Sequence, residues 1–484
     1  MSTTVQTHPL YANFLPLWEK MIHAYDGEDT IKDNGKTYLP ATAGQIRNGA
    51  GGNALESEGE KSYSAYKSRA RFPEWFEEAV DNALGLMHRK PAKIELPEKL
   101  KYLLDSATID GEGLQGLLRQ INKMQLKIGR GGIMLDLPAV EQTQPRLYFA
   151  IYDGTKILNW DDGTRDGNVQ QKLNMVLLKE TEQERVAGLA YKEVNKYRLL
   201  SLGDVETVNG NGDYAVAVMR NTVNPAAASF IEPTVRGKKL QQIPFVFFNK
   251  TDGLTAPDKP PLLKLVNHAL ANYRLSADYY QALFMQGQDT FVVSGDDSDE
   301  ETGEGTLYHL GAEGGVSLQT GAKAEFVGVN SEGLPEMRRA MEADETKADT
   351  MGRQLLAAIS RERESGDALG KRISSQTTTL TQLAITGAAS LERLLKIAAE
   401  WVGANPDEVK VEANMDFSNE KLSGQTLVEV MTAINLGLPL SYESVHQYLK
   451  ERDITKKSFD EEIERINEEA NQGIGFSTEI DEEV

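Results

Sequence analysis

Hydrophobic positions recur every three or four residues along several long stretches of this chain, and that spacing predicts where its helices run. Leu15, Trp18, Met21 and Ile22 form one stripe within Asn13 to about Tyr25, broken at Asp26 and Gly27. The Gly49 to Gly52 turn and the Glu-rich run to Lys61 read as a flexible, exposed loop. Helix is expected again around Pro73, through Trp75, Phe76, Val80 and Leu84. Leu114, Leu117, Leu118, Ile121, Met124 and Ile128 predict a helix of about four turns that stops at Gly129. The period then changes to two. Ile133 to Leu137, Leu147 to Tyr152, Lys156 to Trp160, Leu173 to Lys179, Tyr197 to Leu202 and Tyr214 to Met219 predict an antiparallel meander with Asp-Gly and Asn-Gly turns. Ile243 to Phe248 closes it before a Pro-rich linker at Pro257 to Pro261.

From Leu262 the stripe Leu262, Val266, Ala269, Tyr273, Ala277, Tyr280 and Phe284 predicts a helix roughly 35 to 40 Å long. After Gly287 come a strand at Thr290 to Val293, an acidic turn at Asp296 to Glu304 and further short strands to Val329. Helix returns with Leu334, Met337, Met341, Ala348, Met351, Leu355 and Ile359, and Asp344 and Glu345 interrupt its stripe. Ser360 to Ser374, with Arg361, Arg363, Lys371, Arg372, Gly366 and Gly370, reads as a mobile basic loop. A helix through Leu380, Leu383, Gly387, Leu391, Leu394, Ala398 and Trp401 follows and ends before Pro406. Two or three shorter helices are expected beyond Ser423, before an acidic tail at Asp481 to Glu483. Helix, β insert, helix suits a stalk with a small domain at its tip. The whole reads as α+β.

Composition narrows the function classes. Hydrophobic residues at 40% and charged residues at 26% of 484 positions are those of a folding chain rather than a disordered one. With no cysteine there is no disulfide, thiolate metal site or cysteine nucleophile, which fits a reducing compartment or a particle assembled in one. Met1 to Pro9 has no secretory pattern and no apolar run nears the ~20 residues of a membrane span, so a water-soluble protein is expected. A net charge of −21 argues against wrapping nucleic acid tightly but leaves open a channel through which DNA slides without sticking, a setting in which an acidic wall would be useful.

Gly129-Arg130-Gly131-Gly132 sits between helix and strand in the order opposite to a phosphate loop, with no following Lys-Ser/Thr, and reads as a structural turn. Asp297-Ser298-Asp299-Glu300-Glu301 begins like a calcium loop, but Thr302 stands where Gly is needed and no bidentate Glu follows, so it reads as a solvated cluster. Asp161-Asp162-Gly163 reads as a hairpin turn. The six histidines are isolated from one another, and no nucleophile elbow or dinucleotide fingerprint occurs. Acid pairs for hydrolysis have no signature that a single sequence displays.

Read in order, several short motifs resemble those of tailed-phage portal proteins, in a subgroup long catalogued as a domain of unknown function. They are His8-Pro9-Leu10-Tyr11 with Trp18, Tyr38-Leu39-Pro40, Tyr63 and Tyr66 before Arg69-Ala70, and Gly85 with Lys90-Pro91. They continue through Ile109-Asp110-Gly111, Gly129 to Ile133, Asp136-Leu137-Pro138, Asn159-Trp160 and Ile243-Pro244-Phe245. The Leu262 helix with Tyr273 and Asp278-Tyr279, then Asp416-Phe417 and the Leu436 to Ser441 turn, extend the likeness nearly end to end.

The resemblance implies a non-enzymatic, ring-forming subunit, usually dodecameric, at one capsid vertex of a virion assembled in the host cytoplasm. Double-stranded DNA would enter through it, driven by a terminase ATPase, and leave through it at infection. Implied partners are further copies, the terminase large subunit, major capsid and scaffolding proteins and a head–tail adaptor; no cofactor, metal or membrane is implied. Carried onto this sequence, residues 1–261 would be a wing, helical and then β-rich. Residues 262–287 and 334–359 would be stem helices, 288–333 a clip, 360–374 a tunnel loop, 375–422 a return helix of the wing, and 423–484 a helical crown with its acidic tail. DNA contacts would come from Arg361, Arg363, Lys371 and Arg372. The channel lining would come from Glu342, Asp344, Glu345 and Asp349, and a partner-facing clip surface from Asp296, Asp297, Asp299, Glu300 and Glu301. The competing classes are a carboxylate-dependent hydrolase on the β-rich middle, and an adaptor or scaffolding protein without a DNA channel.

Overall fold

The computed structural model describes residues 5–52, 57–137, 146–162, 173–203, 212–287, 290–294, 321–327, 332–356, 366–415, 417, 428, 431–432, 434, 441–451, 455 and 457–471. Its helices and strands mix as an α+β fold. The chain divides into two compact units, Met1–Phe417 and Ser418–Val484.

The first unit opens with helices. α1 (Pro9–Tyr25) begins ahead of its apolar stripe because the His8 ring accepts a hydrogen bond from the Leu10 N–H and Pro9 fills the first turn. α2 (Glu28–Asp33) and α3 (Ala43–Arg47) are short, and a Thr42/Gln45 capping box starts α3. α4 (Glu58–Arg69) corrects the expectation of a flexible loop to Lys61. Ser57 caps it through the Glu60 N–H, Glu58 and Glu60 favour its N-terminal dipole, and Tyr63 and Tyr66 are buried. α5 (Trp75–Met87) and α6 (Leu114–Ile128) follow, the latter stopped by Gly129 in the left-handed region at φ 71°.

The predicted meander is two sheets. β1 (Lys93–Glu95) stands apart from both. β2 (Arg130–Asp136) lies between β3 (Tyr148–Asp153) and β10 (Phe245–Asn249), whereas β4 (Ile157–Asp161), β5 (Met175–Ala187), β6 (Ala190–Leu202) and β7 (Tyr214–Arg220) form a separate antiparallel sheet. β8 (Thr234–Val235) and β9 (Lys238–Lys239) make a minimal hairpin. Gly131 and Gly132 belong to the sheet rather than to a ligand loop, because the Phe248 and Phe245 rings of β10 occupy the space a Cβ would take. The two sheets are tied by Arg198, which reaches Asp136 and Glu180 at 2.8 Å each. Burial pulls its guanidinium down, but the neighbouring Glu180 and Asp136 carboxylates outweigh burial and hold it above its ordinary value.

α7 (Leu263–Gln286) and α8 (Leu334–Leu356) are joined by a ribbon of β11 (Thr290–Ser294) and β12 (Lys323–Val327). α9 (Gly366–Val402) starts well before Leu380, so residues 366–374, expected as loop, are helical. Two glycines at about 1 kcal/mol each do not stop a helix that a long apolar face anchors further on. That face buries Leu380, Leu383, Leu391, Leu394, Leu395 and Ala398 against α6 and β10. At Gly387 a side chain would strike Asn122 of α6, so glycine sets the close approach of the two helices. β13 (Lys410–Glu412) returns to pair antiparallel with β1.

In the second unit, α10 (Tyr442–Glu451) packs on α11 (Phe459–Asn471) through His446 and Phe459, whose rings lie 5.5 Å apart. α11 starts with Ser458, whose N–H donates to Glu461 at 2.8 Å while its hydroxyl accepts from the Glu461 N–H. Among the described residues no helix is long and apolar enough to cross a membrane.

Candidate functional site

α7 and α8 run antiparallel. His268 faces Asp344 at 3.3 Å, and further along the Asn272 side-chain amide donates to the Met341 carbonyl at 3.2 Å. The ribbon continues the hairpin in the same sense, pairing Thr290 with Val327 and Ser294 with Lys323. Its Phe291 and Phe326 rings meet at 5.2 Å.

The root of the hairpin is embedded and its far end emerges. Leu265, Val266, Ala269, Leu270, Tyr273 and Ala277 are buried, whereas Leu283, Phe284 and Met285 are exposed. From Asp278 to Gln286 about 14 Å of helix therefore projects from the body. A strap from the end of α4 steadies the point of emergence. The Tyr66 hydroxyl donates to Asp278 at 2.7 Å, and the Arg69 guanidinium donates to Gln281 at 3.1 Å and lies 3.6 Å over the Phe284 ring. Arg71 covers the Tyr280 ring at 4.7 Å, while its own N–H and carbonyl both bond to the Ser276 hydroxyl. Burial first, then Asp278, pushes the Tyr66 phenol up. Sequence reading named Tyr66, Arg69 and Asp278 as separate motifs; the structure brings them together. Arg71 and Ser276 were missed, and Tyr280 was read only as a stripe position, because contacts between positions two hundred apart leave no local pattern.

The four proposed lining carboxylates separate. Asp344 falls on the packed side of α8, in line with Met341 and the buried Ala348, where it faces His268 and also lies 3.7 Å from Lys347. Glu342, Glu345 and Asp349 share another side, at the i, i+3, i+7 spacing of one helix face, and all three are exposed. Glu342 pairs with Arg338 one turn back at 2.8 Å. The interruption of the apolar stripe is thus two different things: Asp344 is a polar contact between helices, and Glu345 belongs to an outward carboxylate row.

Arg361 and Arg363 lie outside the described residues, as do Asp296, Asp297, Asp299, Glu300 and Glu301. Lys371 and Arg372 are in the first turns of α9, where the structure describes the backbone.

Behind the hairpin root lies a buried polar chain that sequence reading did not find. His88 Nε2 bonds to Asn122 Oδ1 at 2.9 Å, Asn122 donates to Gln125 at 2.9 Å, and Gln125 donates to the Asn249 carbonyl at 2.8 Å. The Asn249 side chain donates to the Leu254 and Ala256 carbonyls and accepts from Arg130 at 3.0 Å. Arg130 is fully buried, with its guanidinium 4.1 Å from the Phe247 ring and 4.8 Å from Trp160. Burial pulls it down to about 9 against the opposing pull of Asp252 and Asp258, so it stays charged at neutral pH. The chain fixes the 249–258 turn that delivers the backbone into α7. A shallow acidic groove of about 390 Å³ is lined by Glu74, Glu77, Glu78 and Asp81. Glu74 there accepts from the Glu28 N–H and Asp81 from the Tyr25 hydroxyl, both holding helices together.

Residues 261–402 match the family model described as a domain of unknown function, DUF4055, a span that takes in the hairpin and α9. A solved structure titled as the neck of an empty GTA particle computed with C6 symmetry aligns with 84% of this chain and 97% of that chain. The identity is 13% and the TM-score 0.39, a degree of likeness that decides nothing about function. No curated protein matches the chain.

Proposed function

We propose that the chain is a portal-type structural subunit: copies assemble into a ring whose central channel passes double-stranded DNA and whose outer end docks packaging and tail components. The observation that carries this reading is the α7–α8 hairpin, rooted in the body, projecting from it, capped by a β ribbon and bearing the carboxylate row Glu342, Glu345 and Asp349 on one side. The likeness of short motifs along the chain to portal proteins supports it. A hairpin with one packed side and one charged side suits the wall of a ring, since neighbours pack laterally while the charged row faces water. Negative charge on such a wall repels phosphates and keeps DNA from adhering during passage.

On this reading residues 1–261 and the return helix 375–422 are the wing, the hairpin the stem, the ribbon region the clip, and 423–484 the crown. Arg361 and Arg363 ahead of α9, with Lys371 and Arg372 in its first turns, supply transient phosphate contacts. A virion vertex is the implied site of action, with terminase, capsid and adaptor proteins as partners.

Mass photometry with negative-stain imaging over a range of concentration and salt tests the reading. Rings of about twelve copies with a central hole are expected. A monomer or dimer under every condition would overturn it.

A further inference from the structure

The β5–β6 hairpin outruns its own sheet. β4 pairs with β5 only up to Leu178, and β7 pairs with β6 only from Lys196 onward, so residues 183–193 form an arm with no third strand on either side among the described residues. At about 3.4 Å per residue it reaches roughly 15 Å beyond the sheet. Its turn is closed by Arg185, whose Nε–H donates to the Gly188 carbonyl, with Gly188 in the left-handed region at φ 54°. A two-stranded ribbon alone is marginal in water. This one nevertheless ends in Val186 (64% exposed), Leu189 (91%) and Tyr191 (63%), side chains that nothing in their own chain covers among the described residues.

The same unit carries a concave counterpart. Between α9 and the strand that follows it lies a groove of about 670 Å³, with Ala388 and Ala389 in its lining and the half-exposed Ile385 and Met415 on its sides. We infer that the arm tip of one copy seats in this groove of a second copy, so that arm and groove are the two halves of one repeated contact. The inference rests on the ring reading above. A closed ring of more than two identical chains is built from head-to-tail contacts, in which each copy offers one patch to one neighbour and a different patch to the other. A convex apolar tip and a concave groove with an apolar floor and charged edges, on separate elements, satisfy that demand. Both sides carry charges of both signs, Glu184, Arg185, Lys192 and Glu193 on the arm and Glu392, Arg393, Lys396 and Glu412 in the groove, where Glu392 already pairs with Lys396, so Arg393 and Glu412 are the groove charges that Glu193 and Lys192 can meet. An arm of this size is smaller than the roughly 20 to 30 residues a side of a stable interface, and it therefore adds to lateral packing rather than replacing it.

The absence of native cysteine makes the contact testable by cross-linking. Leu189→Cys and Ile385→Cys change exposed positions. Under mild oxidation the double variant is expected to give a ladder of covalent multimers, with each single variant stopping at dimer. Leu189→Asp is expected to raise the concentration needed for assembly at least tenfold without moving the melting temperature of the monomer. Rings that form normally from the double variant but yield nothing beyond dimer on oxidation would overturn the arm-in-groove contact and leave the ring reading standing. So would assembly that ignores Leu189→Asp. If wild type and variants alike form no ring, the ring reading fails and the inference falls with it.

Discussion

Gly132 shows how little freedom single positions have in the body of this protein. The Phe245 ring lies where a Cβ would go, so Gly132→Ala is expected to cost about 1 to 3 kcal/mol, read as a lowered urea midpoint with an unchanged slope. His88 adds a pH dependence of defined sign. Burial lowers its affinity for a proton below that of an ordinary histidine, despite the opposing bond to Asn122. The unfolded chain therefore binds more protons than the folded one as pH falls below about 6.5, and stability falls with it. Unfolding midpoints from pH 7.5 to 5 are expected to decline for wild type, and less steeply for His88→Gln, which keeps a donor for Asn122. Equal slopes would assign the acid sensitivity elsewhere. Neither effect is legible in the sequence, because a glycine's need for space and a histidine's burial come from elements far along the chain.

At the scale of elements, periodicity alone located α6 and α7 closely, since each carries a continuous apolar stripe that its own packing requires. The first turn of α4, up to Lys61, was read as loop because only Tyr63 and Tyr66 further on mark its buried side with large side chains, amid Ser, Lys and Glu. The division of the strands into two sheets was also hidden, as pairing β10 with β2 joins residues more than a hundred positions apart. Asp344 and Glu345 stand next to each other in sequence, yet a step of 100° round the helix sends one to the partner helix and the other to solvent. The strap offers a test of how firmly the projecting end of α7 is held. Replacing Arg69 and Arg71 by Ala removes two cation–ring contacts, each of about 0.5 to 1 kcal/mol where exposed. Amide exchange within 278–286 is then expected to quicken by roughly tenfold, with little change in α6, if the far end moves independently of its root.

For the whole molecule, the carboxylate row makes a prediction that depends on assembly. Wild-type rings are expected to release double-stranded DNA readily at about 0.15 M salt, where surface charges act over about 8 Å. Rings carrying Glu342→Lys, Glu345→Lys and Asp349→Lys together are expected to retain it with a steep salt dependence, measured by fluorescence anisotropy. Rings that retain no DNA after this reversal would place the row away from the path of the nucleic acid. The pairing of β1 with β13 carries a different consequence, one that concerns synthesis. Lys93 to Glu95 find their strand partners only at Lys410 to Glu412, and the core beneath them is completed by α9. A chain emerging from the ribosome thus waits more than three hundred residues before its first strand can close, and contacts so distant form slowly. Interrupted translation products would lack the closing strand, leaving the core beneath β1 unfinished.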